Sequence, residues 1–176
     1  MKRLPLLLVL AVSAPALAQN TPASANPGVA ALRNMWEGQS GYLLRAAEQM
    51  PDSGYAFKPV ATVRTFGQLI GHVAGSQYAF CAAAVGDPER MEDEVEKSMT
   101  TKAQLVAALR ASSEYCRRAY AQSDAAATQT ITLFGEKQTR MWALALNATH
   151  DGEHYGNVVT YFRIKGMVPP SSQPKP

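Results

Sequence analysis

The string His150-Asp151-Gly152-Glu153-His154 holds two of the chain's three histidines, set four positions apart. Residues i and i+4 stack on one face of an α-helix. Two imidazoles spaced this way can converge on one metal ion, as they do in H-E-x-x-H helices. That protease motif needs Glu directly after the first histidine, and Asp151 stands there instead. The pair therefore has metal spacing without being a protease signature. The third histidine, His72, lies in Phe66-Gly-Gln-Leu-Ile-Gly-His72-Val-Ala. Three neutral imidazoles with one open position make up a catalytic divalent-metal site. An ion held there can lower the pKa of a bound water to about 7 or hold a thiol as thiolate. A single histidine such as His72 on an apolar face is more often a hydrogen-bonded core residue. It is the joint pattern of all three that favours a site.

Four helices have to position these residues. Leu32, Met35, Trp36, Leu43, Ala47 and Met50 repeat at helical spacing over 28–50, and Pro51 stops the run. A second helix is expected over 65–85, ended by Gly86-Asp87-Pro88, and a third over 102–121 with Thr100 or Thr101 as N-cap. The fourth spans 139–165 and is closed by Gly166 and Pro169-Pro170. Thr128 to Phe134 alternates as a short extended segment, with Gly135 to Gln138 as the turn after it. The connection from Glu89 to Thr100 carries Glu92-Asp93-Glu94 and Glu96-Lys97, a charge run that reads as solvated surface. The class is all-α, a four-helix bundle, and bundle cores commonly host metals on inward side chains of facing helices.

At 100° per residue, Leu146, Asn157, Tyr161 and Ile164 lie within about 40° of His150, a mostly apolar face that points the pair inward. Thr65, Gln68, Ser76, Ala79 and Ala83 share the face of His72. Asn147 and Gln68 are candidates to hold an imidazole in one tautomer. Asn157 and Tyr161 lie near the histidine face and serve either packing or chemistry. Asp151 and Glu153 rotate away from it and read as exposed helix charges. Cys81, nine residues past His72, falls on the opposite face and is no fourth ligand. Cys81 and Cys116 read equally as a disulfide stapling the second and third helices or as two buried thiols.

The amino terminus reads as an export signal over residues 1–18. Lys2 and Arg3 precede an apolar run from Leu6 to Val12, and Ala16-Leu17-Ala18 offers a cleavage site. That run is shorter than the roughly 20 residues that span a bilayer. Cleavage after Ala18 leaves a periplasmic or secreted protein with no membrane contact. Of 17 Lys and Arg against 14 Asp and Glu, Lys2 and Arg3 leave with the signal, so 15 minus 14 gives a net charge of +1. That is no footprint for nucleic acid. Residues 19–27 read as a flexible tether, 28–170 as one bundle domain and 171–176 as a disordered tail.

The chain resembles the DinB/YfiT-like family of metal-binding four-helix proteins. The likeness rests on Tyr55-Ala-Phe-Lys-Pro59, on Arg64-Thr-Phe-Gly-Gln-Leu-Ile-Gly-His72-Val-Ala, and on the run from His150-Asp-Gly-Glu-His154-Tyr-Gly-Asn through Gly166-Met-Val-Pro-Pro170. It implies a long crossover between helices two and three, a homodimer, and a divalent transition metal, zinc or nickel, on His72, His150 and His154. Relatives include thiol-dependent S-transferases and a mycothiol-dependent maleylpyruvate isomerase. Two functions follow. One is an exported metal-dependent hydrolase or transferase acting on a small molecule. The other is a non-catalytic binding or stress-related bundle with a structural metal or none.

Overall fold

The computed structural model describes residues 25–174. The export signal, the tether up to residue 24 and the last two residues lie outside them. Helix α1 runs Pro27–Gln49, α2 Phe66–Val85, α3 Glu94–Ser98, α4 Lys102–Ala119, α5 Asp124–Ala127 and α6 Arg140–Ile164. The four long ones, α1, α2, α4 and α6, form the bundle. Helix α2 packs against both α4 and α6, and α1 against α6. Among the described residues no helix is long and apolar enough to cross a membrane.

Local chemistry sets the ends of these helices. Thr65 with Gln68, and Thr101 with Gln104, each form a reciprocal capping box that starts α2 and α4. Gly86 takes the left-handed conformation (φ 84°) that ends α2. Pro27 opens α1, and the Asp124 carboxylate accepts from the free N–H groups of Gly28 and Val29 at 2.9 and 2.8 Å. Pro27 is thus the first residue of the helix rather than the last of a tether.

Helix α2 is central and buried nearly all round. Two clusters form the core. One gathers Leu43, Phe66, Ile70, Leu109, Val158 and Phe162; the other gathers Trp36, Phe80, Tyr120 and Leu144, with Trp36 stacked on Tyr120 at 4.6 Å. Cys81 of α2 and Cys116 of α4 are joined by a disulfide within the second cluster.

Three segments differ from their sequence reading. Residues 130–139 form a hairpin, β1 Thr130–Leu133 against β2 Glu136–Thr139, so the expected turn is only Phe134-Gly135. Both residues of that turn have positive φ (54° and 80°), as a two-residue hairpin requires. Residues 171–174, read as tail, are placed: Pro170–Ser172 form a 3-10 turn, and the Ser171 N–H donates to Tyr155 Oη at 2.8 Å. The charged crossover is not free surface either. Val95 is buried, and the Glu92 backbone lies so close to Gly75 that a Cβ there would overlap its carbonyl oxygen. Periodicity could not show this, because α3 docks through backbone contact at glycines.

Candidate metal centre

His150 and His154 are one turn apart on α6, and His72 faces them from the first half of α2. Their ring centroids stand 4.2 Å apart for His150–His154, 4.9 Å for His72–His154 and 5.1 Å for His72–His150. One donor atom from each ring can be chosen so that all three lie within 4.8 Å of one another. Among the described residues this group comprises the three histidines alone. Nε2 of His150 and Nε2 of His154 are 3.0 Å apart. Two nitrogens at about 2.0–2.1 Å from one ion stand roughly 3 Å from each other, so the pair fits a shared metal.

Burial sets the charge of the rings. It lowers His72 to about 4, helped by the Arg64 guanidinium and the His154 ring. Burial lowers His150 to about 3, with His154 and His72 adding to it. His154 is also lowered by burial, with Glu153 acting the other way. At neutral pH His72 and His150 are therefore neutral, the ligand form. Nδ1 of His72 and Nδ1 of His150 are both buried without a hydrogen-bond partner. Phe80 packs against His150 with the two rings near perpendicular, at 5.3 Å between centroids.

The site opens on two sides. His154 borders a cleft of about 920 Å³ with Lys58, Arg64, Glu96, Asn157 and Tyr161. His72 borders a smaller one, about 380 Å³, under the crossover and the hairpin tip Phe134. Arg64 lines both.

Of the four polar residues singled out around the histidines, one touches an imidazole. Asn157 Nδ2 is 3.3 Å from Nδ1 of His154, and either amide orientation serves, depending on which ring nitrogen carries the proton. Gln68 turns its Oε1 to the α2 capping box, where it accepts from the Thr65 N–H at 2.9 Å. Asn147 donates to Tyr120 Oη at 3.1 Å, away from the rings. Tyr161 borders the large cleft, but its Oη donates to the Arg64 carbonyl at 2.6 Å rather than to an imidazole.

Asp151 corrects the sequence reading most sharply. It is fully buried, not an exposed helix charge, and accepts from Gln77 Nε2 at 2.8 Å. Gln77 Oε1 in turn accepts from Ser112 and Ser113 at 2.9 and 3.0 Å. Burial pushes the carboxyl up to about 8 against the pull of Gln77. The rotation argument missed it because it took His150 as the centre of the buried face. The buried stripe of α6 instead runs Leu144, Asn147, Ala148, Asp151, His154, Tyr155, Val158, Tyr161 and Phe162. His150 sits on its rim, where Asn157 and Ile164 are exposed. Sequence reasoning also gave no site role to Glu96 and Arg64, whose ion pair lies beside His72; Glu96 stood in a charge run, and Arg64 opened the family-like run before α2.

The sequence model of the DinB superfamily matches residues 35–158, a span that includes all three histidines. Two solved structures are similar in fold. A DinB-like protein from Bacillus cereus ATCC 10987 is 15% identical, with a TM-score of 0.66 over 79% of this chain and 93% of its own. The DinB-like protein YjoA from Bacillus subtilis is 21% identical, with a TM-score of 0.64 over 82% of this chain and 99% of its own. No curated protein matches the sequence. The helical bundle, the histidines brought together from α2 and α6, and a match across most of the chain agree: the protein belongs to the DinB superfamily.

Proposed function

We propose that the chain binds one divalent transition metal ion, zinc or nickel, through His72, His150 and His154, and works there as an exported hydrolase or transferase on a small molecule. The observation that carries this reading is the convergence of three imidazole donors within 4.8 Å, each with a pKa held down by burial. A divalent ion bound by them would supply a Lewis acid at the wall of the large cleft. The chain's own residues do the rest. Lys58 and Arg64 put positive charge along the cleft, and Glu96 and Glu153 balance it. Asn157 holds the His154 ring in place, and Phe80 packs against His150. With no fourth protein donor in the group, the position facing the cleft is left to substrate, which favours an enzyme over a closed structural site.

Export rests on the signal-like residues 1–18, and the Cys81–Cys116 disulfide supports it, since such bonds persist in oxidising compartments. Pairing of two chains belongs to the same proposal, and light scattering of the purified protein would read it.

Elemental analysis of the mature protein, beside a His150→Ala/His154→Ala double variant, tests the metal. About one transition metal per chain in the parent and none in the variant is the expected result. No bound metal, together with no uptake of zinc or nickel on titration, would reduce the histidines to core residues.

A further inference from the structure

The crossover is built to bring one carboxylate to the histidines. Gly71 and Gly75, one turn apart on α2, open a groove for its backbone. A Cβ at Gly71 would stand 2.9 Å from Cα of Glu96. Since Gly71 precedes His72, that close approach sets Glu96 beside the ring: its Oε2 lies 3.8 Å from Nδ1 of His72. This nitrogen is buried and has no hydrogen-bond partner. The distance is about 1 Å longer than an N–H···O bond, a gap that carboxylate rotation spans.

Glu96 is itself oriented. Nε of Arg64 donates to both of its oxygens, at 3.2 and 3.1 Å, and the Arg64 backbone is pinned by Tyr161 Oη. Of the other carboxylates around His72, Asp93 is paired with Lys97, Glu92 accepts from Ser76 Oγ at 3.1 Å, and Glu89 lines the same small cleft. Glu96 stands outside the set of mutually close donors, so it is not a fourth ligand.

We propose that Glu96 is a positioning residue of the metal centre: its carboxylate accepts the Nδ1–H hydrogen bond of His72, fixing the tautomer that presents Nε2 to the ion. Ligand imidazoles generally donate their second N–H to a carboxylate or carbonyl, and removing that partner costs about 10- to 100-fold in metal affinity. Tyr161, Arg64, Glu96 and His72 then form one chain of contacts from α6 through the crossover to α2. The inference rests on the three-histidine reading above.

Two measurements on the folded, full mature chain test it. The first is the His72 tautomer in metal-free, 15N-labelled protein, read from long-range proton–nitrogen correlations. The parent should hold the proton on Nδ1, and Glu96→Ala should shift it toward Nε2. The second is zinc affinity by competition with a chromophoric chelator. Glu96→Ala should bind roughly 10- to 100-fold more weakly, and Asp93→Ala within about threefold of the parent. Glu96→Gln keeps the volume and an acceptor oxygen, so it should recover part of the loss and serve where the alanine variant does not fold. A parent with the proton on Nε2, or a Glu96→Ala affinity within threefold of the parent's, overturns the role of Glu96 while leaving the metal site standing. A parent that takes up no zinc overturns both.

Discussion

Helix α6 carries two buried polar groups side by side, and they are finished differently. Asp151 turns toward α2 and α4, where Gln77 donates to it and Ser112 and Ser113 donate to Gln77. Neither cleft at the histidines is lined by this cluster. His150 and His154 turn toward His72, border open clefts, and leave two buried ring nitrogens without partners in the group. A buried polar group left unpaired costs about 1–3 kcal/mol. The closed cluster leaves one such atom, Oδ1 of Asp151, and registers three helices against one another. The open cluster leaves two, the Nδ1 atoms of His72 and His150. The two clusters thus begin at adjacent positions of one helix, Asp151 and His150.

The largest expected effect lies on the closed side. The disulfide closes a loop of 35 residues between α2 and α4, near Gln77. Constraint of the unfolded chain by such a loop is worth about 4 kcal/mol. A Cys81→Ser/Cys116→Ser double variant should lose about that much in urea denaturation, while its metal content stays unchanged. A loss below about 1 kcal/mol, or loss of metal with the fold intact, would show that the two sides are not independent.

A smaller effect tests the polar cluster itself. Gln77→Ala strips the partner from Asp151 and from Ser113 and should destabilise by about 2–3 kcal/mol, again without loss of metal. The two sides also carry opposite pH signatures in the metal-free protein. The folded pKa of Asp151, about 8, lies above its ordinary value of 3.8. The stability it adds is therefore full below pH 3.8 and lost as the pH rises toward 8. His72 and His150 have folded values of about 4 and 3, below 6.5. Their share is present above pH 6.5 and lost as the pH falls toward those values. Asp151→Asn should remove the alkaline decline, so the stability of parent minus variant should fall steadily from pH 4 to 8. A flat difference would mean that Asp151 is ionised in the fold.

Much of this was legible in the sequence, for definable reasons. The four long helices announced themselves through apolar spacing, through an N-cap at Thr100 or Thr101, and through stops at Pro51 and Gly86. With three histidines in all, an i,i+4 pair and one more on another helix left few arrangements. What stayed hidden depends on neighbours that no local pattern encodes. Asp151 looked solvent-facing because one helix cannot report which of its faces meets two others. Gly71 and Gly75 look like weak points of α2 until the crossover backbone is seen lying against them. Glu96 belongs to a charge run that any solvated loop could carry.

The smallest expected effect concerns the open side and separates a buried site from a surface one. Three imidazoles of ordinary pKa, 6.5, would each be mostly protonated at pH 5.5, and proton competition would weaken metal binding by roughly 10³ relative to fully neutral ligands. Here His72 and His150, at about 4 and 3, remain neutral at that pH, and His154 is shifted in the same direction. Zinc affinity measured in a non-coordinating buffer should therefore change by no more than about tenfold between pH 7.5 and 5.5, the share that one imidazole of ordinary pKa would lose. A steep loss centred near pH 6.5 would mean that the rings are hydrated in solution. The contrast between an open cluster kept dry by its walls and a closed one kept whole by its hydrogen bonds would then fail on the histidine side.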